Sequence, residues 1–226
     1  RAPLAAQEAP SAIIVFDGSG SMRAPLEATR LPKLGIAREA VFRSLQRIPK
    51  SARIGLASFG HRRGDCADIE VIRNPAPVDP AATNAAIEKL NPRGRGPITQ
   101  SLRVAAKALP ATGQRSIVLI YDDADAGALD LGAAAAELAK AKIVVHAVGL
   151  GLKAEDRPKM ACLPQVTGGR FYNAVTPEQV GAAIEEALRL AANVEAEKPP
   201  PEKRPLQGLE AAAVVPPDAP PGLHLR

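Results

Sequence analysis

Three stretches of this chain are almost wholly apolar and short: Ala12-Ile-Ile-Val-Phe16, Ser116-Ile-Val-Leu-Ile-Tyr121 and Ile143 to Leu150. A strand with one wet face alternates polar and apolar residues. A strand that reads as a solid apolar run is covered on both sides, as in the parallel sheets of α/β proteins. Between the runs the period changes to that of a helix. Leu34, Ala37, Val41, Leu45 and Ile48 recur at helical spacing up to Pro49, and Leu131 to Lys140 is rich in Ala. Val180, Ile184, Leu188 and Ala191 stripe a last helix that Thr176 and Pro177 start.

The remaining elements fill in the same alternation. Arg53–Phe59 and the short Ile69–Ile72 read as strands close enough for a hairpin, which makes the latter an antiparallel edge. Helices are expected from Pro80 to Leu90 with Asp79 as cap, from about Thr99 to Leu109, and from Glu155 to Gln165, before a final strand Arg170–Asn173. This order gives an α/β fold: a Rossmann-like, doubly wound sheet of six strands, one of them an antiparallel edge, with helices on both faces.

Of the 226 residues, 46% are hydrophobic and 23% charged, which allows a full core and excludes global disorder. No apolar run approaches the ~18–20 residues of a membrane span. Four Phe, two Tyr and no Trp leave no aromatic platform for single-stranded nucleic acid. The net charge of +5 is spread rather than gathered in one basic block, so nucleic acid is not an expected partner. The polar, small-residue lead over residues 1–10 reads as a trimmed N-terminus. The domain is placed at 11–193. Proline-rich sequence at 194–206 reads as a linker, and 207–226, with Leu209 to Val215, as a docked strand or the start of a second β domain.

In open α/β sheets the ligand site lies beyond the carboxyl ends of the strands. Two acidic loops fall there: Asp17-Gly-Ser19-Gly-Ser21-Met22 after the first strand, and Asp122-Asp123-Ala-Asp125 after the fourth. Those strands flank the switch point, so the loops are expected to meet. Carboxylates and hydroxyls together make the all-oxygen set that hard divalent cations such as Mg²⁺ take. The alternative is a pair of ordinary turns, since Gly, Ser and Asp are common turn residues. The two cysteines, Cys66 and Cys162, lack metal-ligand spacing and read as two buried thiols or one long-range disulfide.

Asp-x-Ser-x-Ser after a first apolar strand, in this element order, resembles the von Willebrand factor type A domain and its metal-ion-dependent adhesion site, over roughly residues 10–193. The resemblance implies a non-enzymatic module whose Mg²⁺ (or Mn²⁺ or Ca²⁺) receives a carboxylate from a protein partner. It implies Asp17, Ser19, Ser21 and Asp122 as metal residues; Asp123 and Thr99, outside the family pattern, are candidates for additional ligands. The stretch His61-Arg-Arg-Gly-Asp-Cys-Ala-Asp-Ile-Glu70 with the later Cys162 resembles a branch of bacterial exported proteins, which implies a periplasmic or extracellular location. A Cys66–Cys162 disulfide is expected on that resemblance and on topology, and closing so long a loop would stabilise by ~4–5 kcal/mol.

Two departures bear on the metal. The loop Asn91 to Leu102 puts Gly96 where the family carries a threonine, leaving Thr99 as a helix cap, and Tyr121-Asp122-Asp123 stands in place of Thr-Asp-Gly. Both imply a weak, altered or vestigial site. A metal-free scaffold is one alternative. Another is a phosphatase-like hydrolase with Asp17 as nucleophile, but Ser19 occupies the place where that chemistry wants a second carboxylate. His146, in an apolar strand, is expected to be interior, and His61, beside two arginines, exposed. Arg63-Gly-Asp65 matches an integrin-recognition tripeptide by letters alone, and Arg93-Gly-Arg-Gly96 is a poor phosphate footprint.

Overall fold

The structure is a computed structural model that describes residues 9–27, 29–124 and 130–194. The chain runs β1 (Ser11–Asp17), a 3₁₀ turn (Gly20–Arg23), α1 (Lys33–Leu45), β2 (Arg53–Phe59), β3 (Ile69–Pro77), α2 (Pro80–Glu88) and α3 (Ile98–Ala108). It continues through β4 (Arg115–Tyr121), α4 (Leu131–Lys140), β5 (Ile143–Leu150), α5 (Arg157–Thr167), β6 (Phe171–Ala174) and α6 (Pro177–Ala191). The six strands form one sheet in the order β3-β2-β1-β4-β5-β6, parallel throughout except for β3 against β2.

The solid apolar runs are buried on both faces because each alternate residue meets a different helix layer. Ala12, Ile14, Phe16, Val118 and Ile120 join α1, α2 and α6 in one core. Ile13, Val15, Ile117, Leu119 and Tyr121 join α3, α4 and α5 in the other. Local chemistry starts the helices where the sequence suggests. Asp79 accepts from the Ala82 N–H at 2.9 Å and Thr176 Oγ1 from the Gln179 N–H at 3.3 Å, and Pro80 and Pro177 follow these caps.

Three expectations are corrected. Strand β3 runs on to Pro77 rather than stopping at Ile72, because an edge strand pairs on one side only and tolerates Pro75 and Pro77 there. Thr99 does not cap α3: Pro97 holds that position, and Thr99 lies fully buried in the first helical turn. Cys66 and Cys162 are both free thiols. Cys66 lies in the β2–β3 loop on one flank of the sheet and Cys162 on α5 near the other, with β1 and β4 between their strands. The Cys162 thiol instead donates to the Lys159 carbonyl at 2.9 Å. The linker and strand placed beyond Val194 lie outside the described residues.

Candidate functional site

At the switch point β1 leads to β2 on one side while β4 lies on the other, so the loops leaving β1 and β4 emerge side by side. Asp17 is the last residue of β1, and Asp122 follows the last residue of β4. The two acidic loops do meet. Ser21 Oγ donates to Asp122 Oδ1 at 2.7 Å, Ser19 Oγ and Ser21 Oγ are 2.9 Å apart, and the Ser19 N–H donates to Asp17 Oδ1 at 2.7 Å. Asp17, Ser19 and Asp122 are all buried.

The first loop is held by close backbone approach. The Gly18 N–H donates to the Phe59 carbonyl at 2.9 Å, and a Cβ on Gly18 would stand 2.8 Å from both that oxygen and His61 Cβ. Only glycine fits between Asp17 and Ser19. His61, expected to be exposed, is buried beneath this glycine, and its Nε2 lies 3.0 Å from Glu70 Oε2. Asp68, fully buried, accepts from the Arg62 N–H at 2.5 Å, the Arg63 N–H at 2.8 Å and Arg62 Nε at 2.9 Å. Burial works against its carboxylate, but these donors prevail and hold it below the ordinary aspartate range. The segment His61–Glu70 is thus a brace beside the site.

A cavity of about 290 Å³ opens over the loops, lined by Asp17, Ser19, Ser21, Arg95, Gly96 and Asp123 among others. Gly96 lines the cavity, and Asp123 stands exposed at the rim. Thr99 is not part of the lining. Burial, and next the adjacent charge of Asp122, push the Asp17 carboxyl well above the usual carboxylate range, although hydrogen bonds from Ser19 and from the Asp122 backbone oppose this. A carboxylate pair in such surroundings favours a cation beside it.

The donor set fits a hard divalent ion. Hydrogen bonds join Ser19, Ser21 and the buried Asp122 carboxylate, with Asp17 on the Ser19 N–H, and Asp17, Ser19 and Ser21 line a cleft open to water that could complete the coordination. Among the described residues no three His, Cys, Asp or Glu converge, so hydroxyl and water oxygens would have to make up the shell.

Two site residues escape a reading of motifs. Lys33, the first residue of α1, places Nζ 3.0 Å from Asp122 Oδ2, with 14% of its side chain exposed against none of the aspartate's. Arg95 lines the cavity and forms no ion pair with the described residues. The signal for Lys33 was its position. A cation in the first turn of a helix opposes the helix dipole and needs an outside partner.

Residues 12–125 match the sequence model of the family described as von Willebrand factor type A domain. No curated protein matches this chain. Several solved structures share its fold. An aerotolerance-related membrane protein from Bacteroides fragilis superposes with a TM-score of 0.64 at 16% identity, over 79% of this chain and 98% of that one. BatB from Bacteroides thetaiotaomicron gives 0.64 at 15% identity, over 80% and 98%. The pilus adhesin SpaC from Lactobacillus rhamnosus GG gives 0.65 at 16% identity, over 81% of this chain and 31% of the adhesin. At such identities the likeness is one of fold.

Proposed function

The chain belongs to the von Willebrand factor type A family, and we propose that it is a non-enzymatic module that binds an acidic group of a protein partner with the help of a divalent cation. The observation that carries this reading is the convergence of Asp17, Ser19, Ser21 and Asp122 beneath one open cleft at the carboxyl edge of the sheet. Asp17 and Asp122 supply negative charge, and Ser19 and Ser21 supply neutral oxygens. A bound Mg²⁺, or Mn²⁺ or Ca²⁺ in its place, would supply the positive charge that a partner's carboxylate seeks. Arg95 at the cleft and the N-terminal end of α3, which follows Gly96 and Pro97, favour an anion approaching from above.

The arrangement argues against hydrolysis. A phosphatase-like reaction at Asp17 needs an acid nearby to protonate the leaving group, and the position two residues on carries Ser19, whose hydroxyl is engaged with Ser21. An exported location, periplasmic or extracellular, suits this reading: two fold neighbours are a membrane protein and a pilus adhesin. No helix among the described residues is long and apolar enough to cross a membrane.

Calorimetric titration of the chain with Mg²⁺ and with Mn²⁺ tests the cation. Binding is expected in the natural sequence and is lost in Asp17→Ala, since no hydroxyl replaces the carboxylate charge. Equal binding by a folded Asp17→Ala protein would overturn the site.

A further inference from the structure

We infer that Lys33 is the built-in cation of this cleft, and that a divalent ion must compete with its ammonium for Asp122. The inference rests on the cation reading given above and concerns how the same site is controlled.

Both carboxylate oxygens of Asp122 are engaged: Oδ1 accepts from Ser21 Oγ at 2.7 Å, and Oδ2 from Lys33 Nζ at 3.0 Å. The lysine is held at its base as well as its tip. Its backbone N–H donates to the Ala24 carbonyl at 3.0 Å, and Pro25 and Pro32 form a bridge just before it. Lys33 opens α1, whose first turn holds no acidic side chain, so the helix dipole repels the ammonium and no neighbour on the helix offsets that. A lysine with only a solubilising role would extend into water. This one is turned inward, with 14% of its side chain exposed, onto a carboxylate with none.

Charge decides the consequence. Asp17 and Asp122 together carry two negative charges when ionised, and Lys33 cancels one of them without any metal. A divalent ion drawn to the same carboxylates meets the like charge of the ammonium already seated on Asp122, in a largely buried site where Coulomb forces are screened less than in bulk water. Occupation by metal therefore requires the ammonium to leave Asp122. The cleft is stable when metal is scarce and fills only at high ion concentration.

The test titrates the full chain with Mg²⁺ alone and Mn²⁺ alone, in the natural sequence and in Lys33→Met, Lys33→Gln and Lys33→Arg, with thermal melts beside each. Lys33→Gln keeps a donor for Asp122 without the charge, so it decides the matter if Lys33→Met does not fold. The two neutral variants are expected to bind metal at least tenfold more tightly, and Lys33→Arg to stay weak. Without metal, Lys33→Met should melt lower than the natural sequence, and Mg²⁺ should raise its melting temperature by more. Unchanged or weaker binding in the folded neutral variants, with the natural sequence binding normally, overturns the role of Lys33 and leaves the metal site standing. If neither the natural sequence nor any variant takes up either ion, the cation reading fails and this inference with it.

Discussion

Ser19 and Gly94 pair as an isolated parallel bridge, with the Gly20 N–H donating to the Gly94 carbonyl at 3.0 Å. This bridge joins the loop after β1 to the loop before α3, and so sets the distance between the Asp17–Ser21 donors and the Arg95–Gly96 rim. Gly94 is also pressed from behind. Its N–H reaches the Gly60 carbonyl at 2.8 Å, and an added Cβ would stand 2.3 Å from the Arg63 carbonyl oxygen.

Gly94→Ala should therefore push two loops apart at the backbone, where no side chain can yield. A loss of about 1–3 kcal/mol is expected, in the range for overpacked sites. Urea unfolding measures it. A variant as stable as the natural sequence would mean that the 60–64 loop yields freely.

Gly96→Thr should have the opposite character. The φ of Gly96 lies outside the left-handed region, and a Cβ there would meet Phe59 Cε2 at 3.4 Å and nothing nearer. Gly96 lines a cleft that already holds the hydroxyls of Ser19 and Ser21. One more oxygen is expected to tighten Mg²⁺ or Mn²⁺ by about 1.4 kcal/mol, a factor of ten. Calorimetry on a variant of unchanged melting temperature reads the effect, and unchanged affinity would place the threonine out of reach of the ion.

His146 should make the fold sensitive to mild acid. It is buried in β5, and its Nδ1 accepts from the Arg170 N–H at 3.2 Å, a bond that protonation of that nitrogen would break. Burial, followed by the charge of Arg170, lowers its pKa from 6.5 to about 4, with Glu186 pulling weakly the other way. Below pH ~6.5 the unfolded chain takes up a proton that the folded chain refuses. Stability from this group is thus full above that pH and falls as pH drops towards 4, by at most about 3 kcal/mol. His146→Gln should flatten that part of the stability profile relative to the natural sequence. Parallel profiles between pH 7 and 4 would show that the imidazole charges without penalty.

The architecture was legible because it rests on signals within single elements. Solid runs such as Ile13–Val15 and Ile117–Ile120 mark strands covered twice, and Asp79 and Thr176 mark helix starts by chemistry confined to one turn. The acidic half of the site was legible for the same reason, with Asp17, Ser19 and Ser21 packed into five residues. What stayed hidden depends on partners far along the chain. Lys33 meets Asp122 across 89 residues, and His61 is buried by a glycine of another loop. Thr99 looked like a cap because its side chain suits one, but Pro97 begins the helix two residues earlier. The cysteines were paired on likeness and chain topology, and in the structure both stand as free thiols.

A sheet with a long, regular outer strand invites a second molecule to lay another strand against it and so begin a polymer. On one flank here, β3 carries Pro75 and Pro77, which offer no amide hydrogen, and its register with β2 shifts twice between Ile54 and Ala57. On the other, β6 offers four residues. Lateral growth is discouraged on both flanks by geometry that costs the fold little. Many copies crowded together would then remain separate molecules, with the loops above the sheet left clear of any strand-to-strand contact.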